Sequence, residues 1–281
     1  MKIEGNIYGQ QLQEQNLSDI IILSKDIPVL ASQFYKFAGK GVQKRLFSVD
    51  DNKANFYGEE VEIVPSAATF ADINFITSRI GDAFVTSEQL DNAEGIELKN
   101  HLKRLLAKRI LKKITAQAFG EGTATATSTS FQSILDYNSQ ATDKLINGLK
   151  ITEAIGGATL ANINKVYGEF AQNNASEAVW VVNSADSVLS LVDGSGALLL
   201  KTDNRSNGSI GTIHGIQVYV QNMNAKAEMV LMNPEAYAVC VKSTTTAIEA
   251  VDGFKAKTTI VGDFYGCGKI VDPNAIKIIK A

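Results

Sequence analysis

Histidine and cysteine are scarce in this chain of 281 residues, which contains two of each. A nucleophilic triad needs a histidine beside a serine, cysteine or carboxylate at a workable spacing, and a metal centre needs clustered ligands. Neither His101 nor His214 has such neighbours, and no glycine-rich segment continues as a nucleotide-binding fingerprint. The sequence therefore predicts no enzymatic activity, no metal and no cofactor.

Long apolar runs are also lacking. No window approaches the roughly 20 consecutive apolar residues that a membrane-spanning helix needs. The first residues carry no cationic region followed by an apolar one, so we expect no secretory signal and no membrane partner. Cys240 and Cys267 stand in apolar or glycine-flanked surroundings, which predicts buried, reduced thiols in a chain made in the cytoplasm.

Charge is sparse but unevenly distributed. Charged residues make up 20% of the chain and the net charge is −3, so the whole sequence does not indicate a polyanion partner. Between Gly95 and Phe119, however, there are seven cationic residues and one acid. That segment carries +6, which leaves −9 for the remainder (−3 minus +6).

The cationic segment has the period of an amphipathic helix. Its large apolar residues fall on one arc of a helical wheel: Leu98, Leu102, Leu105, Leu106, Ile110 and Ile114. Arg104, Lys108 and Lys112 are spaced by four and line the opposite face, with His101 beside them. Arg109 and Lys113 fall within the apolar arc, which favours extension towards solvent or salt links to another subunit.

The bounds of this helix follow from its flanking residues. We predict that it begins at Gly95 and ends at Gly120 and Gly122, since glycine is common at helix C-termini. A separate short helix is predicted to begin near Thr86, a residue type that caps helices.

An extended stretch precedes the helices. Apolar residues alternate at Val61 and Ile63 and again at Ile73 and Phe75, the period of strands with one covered face. The run Asp50-Asp51-Asn52 forms turns readily, so the two halves around residues 50–53 predict a long two-stranded hairpin. Because isolated hairpins are marginal in water, we expect this one to need a partner surface.

Three acids, Glu59, Glu60 and Glu62, lie on this extended stretch. A glycosidase-like pair of carboxylates is one interpretation, but that chemistry needs two carboxylates fixed across a pocket. A solvated or partner-facing acidic patch is the interpretation that we favour.

The remainder reads as alternating helices and strands. A polar run at residues 123–130 predicts a linker, and helices are expected at Leu160–Phe170 and from Asp186 to Val192. Strands are expected at residues 178–182, 216–220, 229–232, 236–241, 258–261 and 270–279. The mixture predicts an α+β fold.

Several segments, taken in order, resemble the major capsid proteins of tailed bacteriophages, which have the Hong Kong 97-type fold. The resemblance is carried by Tyr57-Gly58-Glu59-Glu60, Thr69-Phe70-Ala71-Asp72-Ile73, Leu98 to Gly122, Trp180-Val181-Val182-Asn183, Gly194-Ser195-Gly196-Ala197, His214-Gly215-Ile216 and Asp272-Pro273-Asn274. It extends from about Lys36 to the end of the sequence.

The resemblance implies a domain organisation. An N-terminal arm would cover residues 1–35 and an extended loop, a β-hairpin, residues 36–68. A peripheral domain with the long spine helix would comprise residues 69–135 and 242–281. An axial domain would comprise residues 136–241, and residues 123–157 match no part of the family pattern.

The resemblance also implies a function. The chain would be a structural subunit of a virion, forming hexamers and pentamers of an icosahedral shell around double-stranded DNA after assembly in the bacterial cytoplasm. Portal, scaffold and decoration proteins are further partners that it implies. The alternatives are an encapsulin-type compartment shell with the same fold, and an enzyme or monomeric binding module that uses the acidic loop.

The two charged surfaces acquire expected roles from the resemblance. Arg104, Lys108 and Lys112 would face the interior and contact DNA phosphates without reading sequence. A solvated helix face, or pairing with the acidic loop of a neighbour, remains the alternative. Glu59, Glu60 and Glu62 would contact an adjacent subunit.

Overall fold

The computed structural model describes residues 30, 33–39, 42–48, 70–121, 131–140, 145–174, 177–202, 208–252 and 257–281. Twelve strands and three α-helices lie in this part of the chain. The strands are β1 (Tyr35–Ala38), β2 (Val42–Ser48), β3 (Phe70–Ile76), β4 (Ser78–Ser87), β5 (Thr152–Ile155), β6 (Val179–Val182), β7 (Gly211–Ile213), β8 (Ile216–Val220), β9 (Met229–Met232), β10 (Tyr237–Asp252), β11 (Lys257–Ile270) and β12 (Ile276–Lys280). The helices are α1 (Glu88–Ala116), α2 (Leu160–Asn174) and α3 (Asp186–Leu189).

These described strands form three sheets. A four-stranded sheet has the order β1-β10-β11-β4, in which β1 runs parallel to β10 and the other pairs are antiparallel. A six-stranded mixed sheet has the order β5-β12-β9-β6-β8-β7. The third sheet is the antiparallel pair of β2 and β3.

Helix α1 packs on the four-stranded sheet through the apolar arc that the sequence predicts. Leu102, Leu106, Ile110 and Ile114 are all buried, and Leu102 and Leu106 contact Ile260 of β11. Leu105 is half-buried, and the side chain of Leu98 lies outside the described residues. The predicted amphipathic helix is therefore present.

The predicted start of the helix is wrong. Strand β4 continues through Ser87, and α1 begins at Glu88 and runs through Gly95 without a break. Thr86 lies within β4, and its hydroxyl donates a hydrogen bond to the carbonyl of Thr258 on β11 (3.2 Å). With 29 residues the helix is about 44 Å long.

The C-terminal end of α1 lies where glycine predicts it. A π-helical turn, Gln117–Glu121, follows Ala116, and Gly120 has a φ of 147°. A Cβ on Gly120 would approach the carbonyl oxygen of Met223 to 3.3 Å. The ammonium group of Lys226 donates to the carbonyl oxygen of Gly120 (3.1 Å), which satisfies one of the free carbonyls at the helix end. Gly122 lies outside the described residues.

Strands β10 and β11 are much longer than the sequence pattern predicts, with 16 and 14 residues. Three glycines of β11 interrupt the apolar alternation, so the sequence pattern does not indicate a strand of this length. Each stands where another group comes close: Gly262 under Leu106, Gly266 against Phe264, and Gly268 against Phe131. The glycines therefore mark close packing within a long strand and not turns.

The central strands β6 and β9 of the six-stranded sheet are buried on both faces. All four residues of β6 are buried, with Trp180 and Val182 facing helix α2 and Val179 and Val181 facing the other core cluster. The strands expected at residues 216–220 and 229–232 have those bounds. The helix at residue 160 extends to Asn174, beyond the predicted end at Phe170.

Helix α3 ends at Leu189, whereas the sequence predicts a helix that reaches Val192. The following segment turns back instead, with a β-bridge between Val192 and Leu198. The carboxylate of Asp193 stabilises this turn by accepting hydrogen bonds from the backbone N–H groups of Ser195 (2.8 Å) and Ala197 (3.0 Å).

The hairpin of β2 and β3 is present, but its pairing differs from the predicted one. Ser48 lies opposite Phe70, so residues 49–69 connect the strands, and the predicted turn at residues 50–53 lies outside the described residues, with Val61 and Ile63. Ile73 and Phe75 are buried against the chain's own Phe37 and β11. The expectation that the hairpin needs an external surface is therefore wrong at its base.

We predict that the α1–sheet contact is sensitive to volume at Gly262. Substituting Gly262→Val should lower the free energy of unfolding by about 1–3 kcal/mol, because a Cβ there already meets the Leu106 Cβ at 3.2 Å. Gly168→Ala on α2, where a Cβ meets nothing within 4 Å, is the matched control and should raise stability by about 0.5–1 kcal/mol. Chemical denaturation of both variants checks this; equal stability of Gly262→Val and the parent chain contradicts it.

Candidate functional site

The outward face of α1 presents a line of three cations. Arg104, Lys108 and Lys112 recur at every fourth residue, which places them above one another over about 12 Å of the helix. Arg104 and Lys112 are exposed and Lys108 is half-exposed. None of the three forms an ion pair within the described part of the chain. Among the described residues, no acid compensates these three positive charges.

The neighbouring cations on α1 differ, because both are paired within the chain. The guanidinium of Arg109 donates to the carboxylate of Asp82 on β4 (3.0 Å) and lies over the ring of Phe84, 4.3 Å from its centroid. The ammonium of Lys113 pairs with Glu121 just beyond the helix. The salt links expected with another subunit are thus made locally, and these two residues add little net charge to the surface.

His101 lies beside the cationic line and favours the neutral state. Burial lowers the pKa of the imidazole, and the nearby charges of Arg104 and Lys108 lower it further. Its Nε2 atom is buried and finds no hydrogen-bond partner among the described residues. The positive potential of this face therefore comes from the lysines and arginine alone.

A cleft of about 450 Å³ lies between strand β4 and the C-terminal half of α1. Its charged lining includes Arg79, Asp82, Arg109 and Lys113. Arg79 donates two hydrogen bonds to Asp263, both 2.8 Å long. With every cation in the lining neutralised by a carboxylate, the cleft is not a strong anion site.

His214 has a structural role at the turn between β7 and β8. Its Nε2 atom lies 2.9 Å from Oδ1 of Asn164, and its ring stacks on Tyr167 at 4.7 Å. Burial and the charge of Lys201 lower its pKa. It has a φ of 52°, so the left-handed turn and the stacking account for its position.

The described residues contain no group of three or more His, Cys, Asp or Glu side chains that could hold a metal ion. No described helix is both long and apolar enough to cross a membrane. The acids Glu59, Glu60 and Glu62 lie outside the described residues, so their expected contact with an adjacent subunit stays a prediction.

The two cysteines are buried and unbridged, as expected. Strand pairing also places Cys240 directly opposite Cys267, which sequence reasoning missed. The spacing of the two cysteines in the sequence does not predict this pairing. It follows from the register of β10 and β11, and the glycines of β11 obscure the length of that strand in the sequence.

A model of the phage capsid family matches residues 27–281. The chain belongs to the phage capsid family. The family match confirms the resemblance seen in the sequence and identifies a structural capsid protein, and it does not favour the encapsulin or enzyme alternatives.

Solved structures share the fold of this capsid protein. The capsid of an empty GTA particle aligns with a TM-score of 0.67 at 16% identity, covering 90% of this chain and 89% of that chain. A chain of Microbacterium phage Oxtober96 aligns with a TM-score of 0.62 at 11% identity, covering 91% and 92%. A chain of Mycobacterium phage Bobi gives 0.59 at 13% identity, covering 91% of each chain.

At these identities the structures show a shared fold alone, and they confirm the predicted mixed α+β fold of the Hong Kong 97 type. No curated protein sequence matches this capsid protein significantly.

We predict that Arg104 and Lys108 add to the effect of burial in lowering the pKa of His101. The double substitution Arg104→Gln with Lys108→Gln should raise that pKa towards 6.5, because it removes two of the three causes of the lowering. In the parent protein the folded pKa lies below the unfolded value, so the unfolded chain binds more protons and His101 contributes a loss of stability as pH falls through 6.5.

The pH dependence of hydrogen–deuterium exchange at the imidazole C2 position, followed by mass spectrometry, measures this pKa. Lys165→Gln on α2 is the control and should leave it unchanged. An unaltered pKa in the double variant would show that burial alone sets it.

Proposed function

We propose that this capsid protein forms hexamers and pentamers that close an icosahedral shell around double-stranded DNA, with the cationic line of α1 facing that DNA. The observation that carries the proposal is the line itself: Arg104, Lys108 and Lys112 are unpaired in the described part of the chain, while Arg109 and Lys113 beside them are neutralised. Selective pairing leaves one face of a rigid helix positive.

The chemistry of the line suits a phosphate backbone. Double-stranded DNA carries about one negative charge per 1.7 Å of its axis, so a 12 Å row of cations meets several phosphates whatever its angle. Lysine and arginine on an exposed helix face contact phosphates without reading bases. Such binding tolerates any packaged sequence and weakens with salt.

The parts of the chain have proposed roles in the shell. The arm (1–35) and the extended loop (36–68) reach neighbouring subunits, and the acids Glu59, Glu60 and Glu62 contact cationic surface there. The peripheral part (69–135 with 242–281) carries α1 as the stiff spine. The axial part (136–241) packs around the local symmetry axis and is completed by β12, which pairs with β5 and β9.

Assembly in the bacterial cytoplasm is part of the same proposal. Portal, scaffold and decoration proteins are the further partners that a shell of this kind would take.

We predict that removing the three line charges weakens DNA retention without preventing folding. The triple substitution of Arg104, Lys108 and Lys112 to Gln should reduce the slope of log affinity against log salt by up to about 2.7, or about 0.9 for each lost phosphate contact. Each site is solvated, so stability should change by less than about 0.5 kcal/mol per substitution. Binding of linear double-stranded DNA over a salt series measures the slope.

The matched control is the triple substitution of Lys150, Lys165 and Lys257 to Gln, which removes the same charge from exposed positions on other elements. An equal reduction of the slope in both triple variants would indicate that DNA binding depends on net charge and not on the position of the cationic line.

We also predict that the segment between β2 and β3 is needed for closure of the shell and not for folding of the subunit. Ser48 and Phe70 lie directly opposite one another, so a two-residue Asn-Gly turn can replace residues 49–69 and keep the strand register. The shortened chain should unfold cooperatively like the parent, but electron microscopy should show no closed particles. Normal particles from it would contradict the proposed role of the extended loop.

A further inference from the structure

The two cysteines of the capsid protein face each other across the centre of the four-stranded sheet. Cys240 on β10 and Cys267 on β11 are direct partners in the antiparallel register. Both side chains belong to the same buried cluster, with exposures of 0% and 1%. Neither cysteine is in a disulfide in the structure.

Strand geometry brings such a pair within bonding range. Directly opposed residues of antiparallel strands have Cα atoms about 4.5 or 5.5 Å apart, depending on whether the pair is hydrogen-bonded. Both spacings fall within the range of about 4.4–6.8 Å that disulfides span. No element has to move far for the two sulfur atoms to bond.

We propose that Cys240 and Cys267 are a latent disulfide, which a two-electron oxidant of the peroxide class closes within one subunit. One thiolate attacks hydrogen peroxide, which forms a sulfenic acid and releases hydroxide. The second thiol then displaces the sulfenic oxygen, which leaves as water. In total two thiols and one peroxide give one disulfide and two waters.

The reduced state is protected by its surroundings. Burial raises the pKa of Cys267 to about 11, so little reactive thiolate exists at neutral pH. The hairpin of β2 and β3 covers the pair: Ile73 and Phe75 of β3 lie in the same cluster, and Phe75 packs edge-to-face on Phe37 at 4.9 Å. Oxidation is therefore slow and depends on opening at the base of the hairpin.

The location of the protein gives this chemistry a consequence. Cytoplasmic thiols are kept reduced, whereas disulfides persist at virion surfaces and in other oxidising settings. A virion subunit is exposed first to the reducing cytoplasm and then to oxidising surroundings outside the cell. Closing the bond would tie β10 to β11, which is one of the two strands on which α1 packs, and would stabilise the subunit after its particle leaves the cell.

The test uses assembled particles of the full chain. They are treated with hydrogen peroxide, denatured in an alkylating agent and weighed by intact mass spectrometry, with untreated particles as the control. We expect treated chains to lose the mass of two hydrogens, to resist alkylation at both cysteines and to remain single chains on a non-reducing gel. Thermal unfolding of the treated particles should shift upward by several degrees, and a reductant should reverse every change.

The contrary results are equally clear. Two alkylated thiols after treatment, sulfinic or sulfonic acid in place of the bond, or disulfides between chains would each overturn the proposal. Cys240→Ser and Cys267→Ser are further controls, because neither single variant can lose two hydrogens.

The covering role of the hairpin has its own matched pair of variants. Phe75→Ala opens the cover and should speed disulfide formation several-fold, whereas Ile76→Ala, on the exposed neighbouring residue, should leave the rate unchanged. If Phe75→Ala does not assemble, the milder Ile73→Val takes its place. Equal rates in the cover variant and its control would overturn this role.

Discussion

The close approach of helix α1 to the four-stranded sheet decides which side chains of this capsid protein face outward. The helix buries an arc of leucine and isoleucine against β4 and β11, and Gly262 lets the two backbones come together at Leu106. Burial of such an arc is worth several kcal/mol, far more than any single surface contact. The apolar contact therefore sets the rotation of the helix, and the charged residues take the positions that remain.

The electrostatic character of that outward face depends on selective pairing. Asp82 and Glu121 lie within reach of Arg109 and Lys113 and neutralise them, while Arg104, Lys108 and Lys112 form no ion pair with any residue that the structure describes. His101, held towards the neutral state by burial and by its cationic neighbours, adds no charge. A sequence with a net charge of −3 thus presents a strongly positive line on one element. Local arrangement, and not overall composition, determines what the surface can bind.

The sequence predicts those elements that are determined by interactions between residues close together in the chain. The amphipathic period of α1 predicts its buried arc, and the continuous apolar runs at residues 179–182 and 229–232 predict buried strands, because each signal lies within one turn or one strand. The failures occur where distant segments determine the structure. Gly95 reads as a break but lies inside a helix, since packing on the sheet outweighs a cost of about 1 kcal/mol.

The length of β11 is not predicted for the same reason, because its glycines interrupt the apolar pattern. They accommodate Leu106 and Phe131, which come from elsewhere in the fold, and Phe264 of the same strand. For the same reason, the sequence does not predict that Cys240 and Cys267 lie opposite each other, because this follows only from the register of β10 and β11. Membership of the phage capsid family was foreseeable because it rests on the order of many weak segments and not on one motif.

We propose that this capsid protein closes a shell with the cationic face of α1 turned towards the lumen. Electron cryomicroscopy of the particles that the chain forms tests it most directly, because α1 is long enough to orient in a map of modest detail. We expect closed particles in which Arg104, Lys108 and Lys112 line the inner surface. Particles in which those residues face the exterior, or lie buried in a contact with a neighbouring subunit, would contradict it.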